Sequence, residues 1–362
     1  MPNVYAVIMA GGAGTRFWPR SREKSPKQLL EIVGKGTMLQ NTVKRISDLI
    51  QPSNILIVTN KLQKGMVAKQ LPQIPSTNII VEPLGRNTAP CIGLAALFIR
   101  RMDPEAVMVA LPADHIMQNE DKFREVLRLA IWVAYESSSL ITIGVQPTRP
   151  ETGYGYIQVV DEDDGTNPYL MRGVYKVKTF AEKPNVATAH QFLQSGDFLW
   201  NSGMFIWRVD AITQEIQRLL PELFGELAKV DATIGTEKFE HAMETSYRII
   251  RGISIDYGVM EKAKSVYVIR GNFGWSDVGS WDEVYRISGR DEGGNSITGR
   301  TFSQGTKNTL VYAGNKFVAT IGVEDLIVIV TDDSVLVCKQ GQSQDVKEVV
   351  DYLRRKEMTD FL

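Results

Sequence analysis

A short apolar segment that runs straight into a glycine-rich, cationic loop is the feature that most constrains this chain. Residues 4–9 predict a buried strand, and Gly11-Gly12-Ala13-Gly14 follow at its carboxyl end. Glycines leave backbone amides open to a ligand, because no side chain blocks its approach. The cations Arg16, Arg20, Arg22, Lys24 and Lys27 come next. This pattern suits a polyphosphate, although a solvated basic loop also fits the composition.

Two common phosphate-binding loops do not fit this string. A kinase-type loop ends in Gly-Lys-Ser/Thr, whereas Gly14 is followed here by Thr15 and Arg16. The dinucleotide-binding fingerprint requires a third glycine that opens a helix, and Phe17 stands in its place. Two prolines further along favour a long ordered loop over an immediate helix.

Composition indicates a globular chain with balanced charge. The 362 residues can bury a large core and are expected to form two domains. The net charge of −1 argues against a general affinity for nucleic acid or for an anionic membrane. Two cysteines give no disulfide framework and suit a reducing cytosol, so we expect a cytoplasmic protein. The first apolar run resembles a core strand rather than a signal peptide, and no stretch approaches the roughly 20 apolar residues that span a bilayer.

Strand and helix patterns alternate over the first 150 residues. Strands are predicted at 55–59, 79–82, 107–111 and 140–144, and helices at 89–101, at 123–135 and behind a capping box at Thr37–Gln40. Near-continuous apolar strands between helices predict an α/β fold with a mostly parallel sheet covered on both faces. Ligands of such sheets bind at the carboxyl ends of strands, so we expect the Gly11 loop, Glu82 and Asp114 to converge on one cleft.

The pattern changes after residue 150. Strands are predicted at 154–159, 174–181 and 266–270, with helices at 188–194 and across 210–247. Short β segments then cover about 295–338, and an amphipathic helix over 346–353 ends the chain. We place the domain boundary near 289–294, which predicts domains at 1–289 and 290–362.

The turn from Glu82 to Pro90 is the first downstream motif that could bind a ligand. Asn87 or Thr88 could cap the following helix, which would explain both residues without a ligand. The same turn could present its amides and the Asn side chain to the edge of a nucleotide base.

Two aspartates are candidates for a metal site. Asp114 follows a predicted buried strand, and Asp277 lies among small residues in the segment 274–281. Either could simply stabilise a turn. Together they would form the water-rich carboxylate arrangement that Mg²⁺ prefers, and Mn²⁺ could substitute for it.

A third group of motifs could contact a sugar phosphate. Glycines such as Gly153 allow the backbone to approach a sugar ring. Glu182 and Asn201 can hydrogen-bond hydroxyls, and Lys183 can hold a phosphate as a point charge. Taken singly, a surface ion pair explains Glu182 and Lys183 equally well, and a turn explains Asn201.

The string from Gly11 to Gln28 closely resembles the signature of sugar-nucleotide pyrophosphorylases. The features most similar to the mannose-1-phosphate guanylyltransferase branch are Trp18, Pro19, Ser21, Arg22 and the ending Pro26-Lys27-Gln28. Matched motifs extend over about residues 4–285. The resemblance implies a Rossmann-like nucleotidyltransferase domain with a mostly parallel mixed sheet, plus a small C-terminal β-rich domain. Some family members carry an additional isomerase domain, and a chain ending at Leu362 is expected to be the single-activity form.

The resemblance also implies roles for the motif residues. The implied nucleotide-binding residues are Gly11, Gly12, Gly14, Thr15, Glu82, Arg86, Asn87 and Thr88. The implied sugar-phosphate-binding residues are Gly153, Glu182, Lys183 and Asn201, and the implied metal ligands are Asp114 and Asp277. The implied catalytic residues are Arg16, Lys27, Asp114, Lys183 and Asp277. No role is assigned to His115 or Asp256.

The implied reaction is guanylyl transfer from GTP to α-D-mannose 1-phosphate, giving GDP-mannose and diphosphate. With Mg²⁺ as cofactor, a phosphate oxygen of the sugar phosphate would attack the α-phosphorus from the side opposite the leaving diphosphate. The resemblance also implies a homodimer. One alternative is a nucleotidyltransferase for another nucleotide or hexose 1-phosphate. Another is a non-catalytic, sugar-nucleotide-binding regulatory subunit, although binding alone would not need all five charged catalytic candidates.

Overall fold

The computed structural model describes residues 2–12, 14–160 and 165–362, which fall into two compact units. The first, which we call the sheet unit, comprises Met1–Gly11, Val43–Ala113 and Met117–Trp275. The second, the loop unit, comprises Gly12–Thr42, Asp114–Ile116 and Ser276–Leu362. These units each combine several segments of the chain, so they differ from the two predicted domains, 1–289 and 290–362. The predicted domain boundary stays a prediction.

Most strands agree closely with the predicted apolar runs, although no strand was predicted over 198–208. In chain order they are β1 (Val4–Met9), β2 (Ile55–Asn60), β3 (Ile79–Glu82), β4 (Val107–Pro112), β5 (Ile116–Met117), β6 (Leu140–Val145), β7 (Tyr156–Val160), β8 (Val174–Ala181), β9 (Phe198–Arg208), β10 (Val266–Gly271), β11 (Trp275–Ser276), β12 (Ser296–Gln304), β13 (Leu310–Ile321), β14 (Leu326–Val330) and β15 (Val335–Lys339).

The predicted helices are present and extend a few residues further at most ends, whereas the helices at 64–70 and 281–287 were not predicted. They are α1 (Met38–Ile46), α2 (Lys64–Gln70), α3 (Thr88–Met102), α4 (Glu120–Ser137), α5 (Val186–Ser195), α6 (Val209–Leu219), α7 (Pro221–Asp231), α8 (Phe239–Ile249), α9 (Trp281–Ile287) and α10 (Val346–Arg355). Within the described residues, no helix combines the length and the apolar character that crossing a membrane requires.

One mixed sheet organises the sheet unit. Its strand order is β3-β2-β1-β4-β9-β6-β10-β8-β7. The neighbours β3-β2-β1-β4 are parallel, as is the pair β6-β10. Every antiparallel pair in this sheet involves β7, β8 or β9, which come from the segment where the sequence pattern changes. The α/β fold with a mixed sheet is therefore confirmed.

The largest core of the sheet unit lies where α3 packs against the sheet and against α6 and α7. Most side chains of α3 are buried, so this helix is apolar nearly all round. Gly93 lets α7 approach closely, because a Cβ at that position would lie 2.5 Å from Leu227 Cδ1. A well-packed core of this kind fixes the strand ends, which is what a binding site on the sheet needs.

The predicted C-terminal β segment is also confirmed. The order of its four strands is β12-β13-β14-β15, in which only β15 runs antiparallel to its neighbour. The apolar face of α10 (Val346, Val350 and Leu353) packs in one cluster with Phe17, Trp18 and Trp281. The C-terminal helix is therefore packed directly against the cationic loop within the loop unit.

The loop is also tied to this cluster by two indole hydrogen bonds. Trp18 Nε1 donates to the Phe361 carbonyl at 2.9 Å, and Trp281 Nε1 donates to the Trp18 carbonyl at 3.1 Å. The aromatic residues inside the basic string therefore have a structural role, because they anchor the loop.

Local capping signals explain several helix ends. The capping box at α1 is confirmed, because Gln40 N donates to Thr37 Oγ1 at 3.2 Å and Thr37 N donates to Gln40 Oε1 at 3.0 Å. Helix α4 begins three residues before its predicted start at Phe123. Asn119 caps it by accepting a hydrogen bond from Lys122 N at 3.0 Å.

The packing of α10 leads to a stability prediction. Leu353→Ala deletes a buried side chain from the cluster that anchors the loop and should cost about 2–5 kcal/mol of stability. Tyr352→Ala, which truncates a half-exposed neighbour, should change stability much less. Thermal unfolding of both variants gives the comparison, and equal midpoints would contradict the assigned packing.

Candidate active site

Among the loop glycines, Gly14 occupies a position where the backbone requires a glycine. Its φ of 58° lies in the left-handed region. A Cβ at this position would lie 2.7 Å from Lys27 Cβ, whereas at Gly12 it would meet nothing within 4 Å. The absent side chain at Gly14 thus allows the loop to close on Lys27.

A polar cleft of about 320 Å³ opens beside this loop within the loop unit. Most of its polar lining consists of residues that the sequence singled out. The lining residues are Gly14, Thr15, Arg16, Phe17, Lys27, Asp114, His115, Asp277, Gly279 and Lys347. The structure therefore brings together six predicted site residues from three separate parts of the chain. Gly12 does not line the cleft, and its carbonyl accepts a hydrogen bond from Gln28 Nε2 at 2.9 Å.

Lys27 is the central cation of the cleft. Its side chain is only 5% exposed. Its Nζ donates to Asp114 Oδ2 at 2.9 Å and to the backbone carbonyl of Asp277 at 2.6 Å. The two predicted metal-binding aspartates therefore lie on either side of one ammonium group, although only Asp114 pairs with it through its carboxylate.

The cations around Asp114 determine its ionisation. Burial alone would raise the pKa of this carboxyl group. The nearby charge of Lys27, the electrostatic influence of His115 and the hydrogen bonds that the carboxylate accepts outweigh burial, and the pKa falls below its ordinary value. Asp114 is therefore an anion at neutral pH. His115 Nε2 lies 4.0 Å from Asp114 Oδ1, close enough for this electrostatic contribution.

The cleft offers oxygen ligands of the kind that a hard divalent cation prefers. They are too few to complete its coordination. Asp114 and Asp277 supply carboxylate oxygens, which Mg²⁺ prefers. Within the described ranges, no group of three or more His, Cys, Asp or Glu residues could hold a metal ion. Mg²⁺ usually keeps several waters and binds substrate phosphates, so two carboxylates are consistent with a site that substrate completes.

The predicted base-binding turn belongs to the sheet unit. Glu82 ends β3, is buried and accepts a hydrogen bond from the Tyr247 hydroxyl at 3.0 Å. Burial raises the pKa of Glu82 to about 7, although the hydrogen bond from Tyr247 opposes this increase. A carboxyl group near its titration point can act as a donor or as an acceptor toward a polar ligand. Since Asp114 belongs to the loop unit, the predicted convergence of these two residues stays a prediction.

The remaining residues of the turn have structural partners. Asn87 caps α3 with a positive φ of 71° and accepts a hydrogen bond from Thr88 N at 2.8 Å. Thr88 Oγ1 accepts a hydrogen bond from Ile255 N at 2.8 Å. The Arg86 guanidinium donates to the backbone carbonyls of Tyr247 and Arg248 at 2.8 and 3.2 Å. Asn87 is thus the capping residue, and the nucleotide-binding roles of the turn stay predictions.

Gly11 is the remaining predicted nucleotide-binding residue of the sheet unit, and it is exposed. A Cβ there would lie 3.8 Å from Glu82 Oε2, an ordinary van der Waals contact. Gly11 therefore lies beside the Glu82 carboxyl group, although sterics do not require a glycine at this position.

A buried acidic cluster forms around Asn201 in the sheet unit. Asn201 Nδ2 donates to Asp256 Oδ1 at 2.6 Å, while Asn201 Oδ1 accepts from Gly203 N at 3.1 Å. Burial, together with the charge of Glu182, raises the pKa of Asp256 to about 6. Asp256 also begins a π-helical turn, Asp256–Met260, a geometry that is frequent at functional sites.

Gly155 rather than Gly153 determines how closely the backbone approaches this cluster. A Cβ at Gly155 would lie 2.3 Å from Glu182 Oε2, so any other residue there would force the Glu182 carboxylate to shift. Gly153 is exposed, and its amide donates to Glu151 Oε1 at 3.0 Å. The predicted sugar-phosphate-binding role of Gly153 therefore has a structural alternative and stays a prediction.

Lys183 combines an exposed side chain with an unusual backbone. Its φ of 47° is left-handed, and its side chain is 60% exposed. Its ammonium pairs with Glu182, whose own side chain is only 9% exposed. The ion pair suggested by the sequence therefore exists, with its acidic member buried, and the proposed contact of Lys183 with a phosphate stays a prediction.

Sequence reasoning missed two polar residues that the structure places beside the candidates. Tyr247 could be found only through the fold, because it lies 165 positions from Glu82. Lys347 belongs to the C-terminal helix and lines the cleft. The sequence indicated that this helix is amphipathic, but not which part of the protein lies next to Lys347.

Comparisons with known proteins cover nearly the whole chain. The nucleotidyl transferase family model matches residues 5–293, and the MannoseP isomerase/GMP-like beta-helix domain model matches residues 299–353. A mannose-1-phosphate guanylyltransferase of Klebsiella pneumoniae is 39% identical over 360 residues, which are 98% of this chain and 75% of that protein. That of Escherichia coli (strain K12) is 39% identical over 356 residues, covering 97% and 73%.

The chain also resembles a solved structure. A crystal structure from Thermus thermophilus, described as a mannose-1-phosphate geranyltransferase, matches with a TM-score of 0.86 and 34% identity. The match covers 97% of this chain and 99% of that one, so it includes the C-terminal β segment.

The raised pKa of Glu82 predicts a pH-dependent penalty to stability. Between pH 4.5 and about 7 the unfolded chain loses this proton while the folded protein retains it, so stability falls as pH rises. Glu82→Gln cannot ionise and should therefore gain stability over the wild type across this window, by up to about 3 kcal/mol above pH 7.

Thermal unfolding as a function of pH measures the effect. Glu125→Gln, which removes an exposed carboxylate from the same unit, controls for the loss of charge. A difference between Glu82→Gln and the wild type that does not change from pH 4 to pH 8 would show that Glu82 is not a buried, shifted acid.

Proposed function

We infer that this chain, since it belongs to the mannose-1-phosphate guanylyltransferase family, transfers a guanylyl group from GTP to α-D-mannose 1-phosphate and releases diphosphate. The observation that best supports this inference in the structure is the cationic cleft of the loop unit. It combines a glycine-rich turn, two candidate phosphate-binding cations and an ionised Asp114.

The chemistry requires charge neutralisation more than proton transfer. The second pKa of a phosphate monoester is near 6, so the attacking sugar phosphate is already mostly ionised at neutral pH. Two unit charges about 4 Å apart repel by on the order of 4 kcal/mol at an effective dielectric of 20. We therefore propose catalysis by positioning and electrostatic stabilisation, without a general base. His115 acts in this scheme through its contact with Asp114.

Each cation has a distinct proposed role. Lys27 stabilises the charge that develops around the α-phosphate. Its ammonium is already removed from water and fixed by two acceptors, so little reorganisation is needed when a phosphate oxygen replaces one of them. Arg16, exposed at the cleft, holds the β- and γ-phosphates, and Lys183 holds the sugar phosphate.

The sheet unit supplies the proposed specificity contacts. Glu82 and the turn up to Thr88 recognise guanine and ribose, while in the loop unit the amides of Gly12 and Gly14 contact phosphates. The buried cluster of Glu182, Asn201 and Asp256 hydrogen-bonds sugar hydroxyls. Buried polar groups that a wrong substrate leaves unpaired are a strong source of discrimination, which supports placing recognition there.

Asp114 and Asp277 are the residues that would hold Mg²⁺. A bound divalent ion would neutralise phosphate charge and help to orient the two substrates. Asp114 already carries the negative charge that this role requires, and its present partner is itself a cation.

We also propose that the protein forms a homodimer through its C-terminal segment. The exposed apolar side chains of Phe302, Phe317 and Ile321 on β12 and β13 support this proposal.

A cytoplasmic location is a separate proposal. Cys91 and Cys338 are both free thiols, which supports a reducing compartment.

The first prediction from this function is nucleotide preference. Diphosphate release with mannose 1-phosphate should be much faster with GTP than with ATP, UTP or dTTP, because a wrong base leaves buried polar groups unpaired. The measurement is kcat/KM across this panel at saturating sugar phosphate. Equal values for GTP and dTTP would contradict guanylyl transfer while remaining consistent with nucleotidyl transfer.

The second prediction concerns competition between Lys27 and the metal ion. Without substrates, Lys27→Met should bind Mn²⁺ more tightly than the wild type, by up to about tenfold, because the ammonium no longer pairs with Asp114. Turnover should nevertheless fall, because the α-phosphate loses its cation.

Electron paramagnetic resonance of free Mn²⁺ measures this affinity directly. Arg16→Met removes an equal charge from the same cleft, so it controls for long-range attraction and should have the smaller effect. Equal or weaker Mn²⁺ binding in Lys27→Met would show that Lys27 and the metal do not share Asp114.

A further inference from the structure

We propose that Lys347, on the C-terminal helix, binds the diphosphate that is released from GTP. The proposal rests on the proposed function and extends it to a residue outside the family motifs discussed above. Lys347 is the second residue of α10 and lines the same cleft as Arg16, Lys27 and Asp277.

The position of Lys347 follows from how α10 is anchored. Val346 and Val350 are buried against the cluster that contains Phe17 and Trp18, so the start of the helix lies beside the glycine loop. Lys347 is adjacent to the buried Val346 but is itself exposed. The helix thus presents a cation to the cleft while its apolar face remains in the core.

The N-terminal end of α10 is also held by a polar network. Asp282 N donates to Ser343 Oγ at 3.1 Å, and Asp282 Oδ2 accepts from Ser343 N at 3.2 Å. Asp282 Oδ1 accepts from Gly341 N at 2.7 Å. The backbone that carries Lys347 is therefore fixed before any ligand arrives, which reduces the entropy lost on binding.

The charge of Lys347 is available to a ligand. Across residues 2–12, 14–160 and 165–362, Lys347 forms no ion pair with a carboxylate. A cation near a helix N-terminus is unfavourable for the helix dipole, so helix stability does not account for a lysine there. A bound polyanion would offset that repulsion.

Diphosphate is the occupant that this arrangement favours. Lys27 is buried and already paired, and its proposed partner is the α-phosphate. Arg16 and Lys347 are the exposed cations of the same cleft. A diphosphate group carries several negative charges on two phosphorus centres, so two separated cations match it better than one.

The test uses the reverse reaction, in which the full-length enzyme forms GTP from GDP-mannose and diphosphate. Lys347→Met should raise KM for diphosphate about tenfold, the expected loss for one charge-assisted contact. KM for GDP-mannose should change less than twofold, and Lys347→Arg should restore most of the diphosphate affinity. Lys356→Met, which removes an exposed lysine just past the other end of α10, is the matched control.

Calorimetric binding of inorganic diphosphate to the free protein separates this proposal from the proposed function. Weaker binding to Lys347→Met than to Lys356→Met supports the contact even if no turnover is observed. Equal binding, or an equal rise in both KM values with a lowered unfolding midpoint, overturns it in favour of a merely structural lysine. Failure of the wild type to form GTP would instead count against guanylyl transfer.

Discussion

The geometry of the candidate active site depends on one buried ammonium group. Lys27 Nζ lies between the Asp114 carboxylate and the Asp277 carbonyl, and so links a strand-end residue to a turn 163 positions later. Gly14 must be a glycine because the loop closes on Lys27. Although burial would raise the pKa of Asp114, the charge of Lys27 helps to hold it below its ordinary value. If Lys27 were absent, an anion would be left partly buried without its closest partner, which is costly.

Most of the fold could be predicted from the sequence, because its signals are local. Apolar runs identified eight of the nine strands of the main sheet but not β9, and the capping box at Thr37 gave the start of α1 correctly. The predicted start of α4 was wrong by three residues, since the cap at Asn119 precedes the apolar periodicity. The pairing of β9 between β4 and β6 could not be predicted, because strand order depends on contacts between distant segments.

The site was predictable in its residue types but less so in their environments. The cationic string located the polar cleft, whereas the requirement for glycine at Gly14 depends on a contact with Lys27 that only the fold creates. The burial that shifts the pKa of Glu82 and Asp256 has no local signature. Lys347 was missed for the same reason, because an amphipathic helix shows which face is buried but not what lies beside it.

A crystal structure of the protein with bound GTP would show directly whether Lys27 binds the α-phosphate. We expect Lys27 Nζ to lie within hydrogen-bond distance of an α-phosphate oxygen, having exchanged at least part of its contact with Asp114. We also expect the terminal phosphates to occupy the cleft lined by Arg16 and Lys347. A triphosphate bound elsewhere, with Lys27 still paired to Asp114 at saturating GTP, would contradict the proposed role of Lys27.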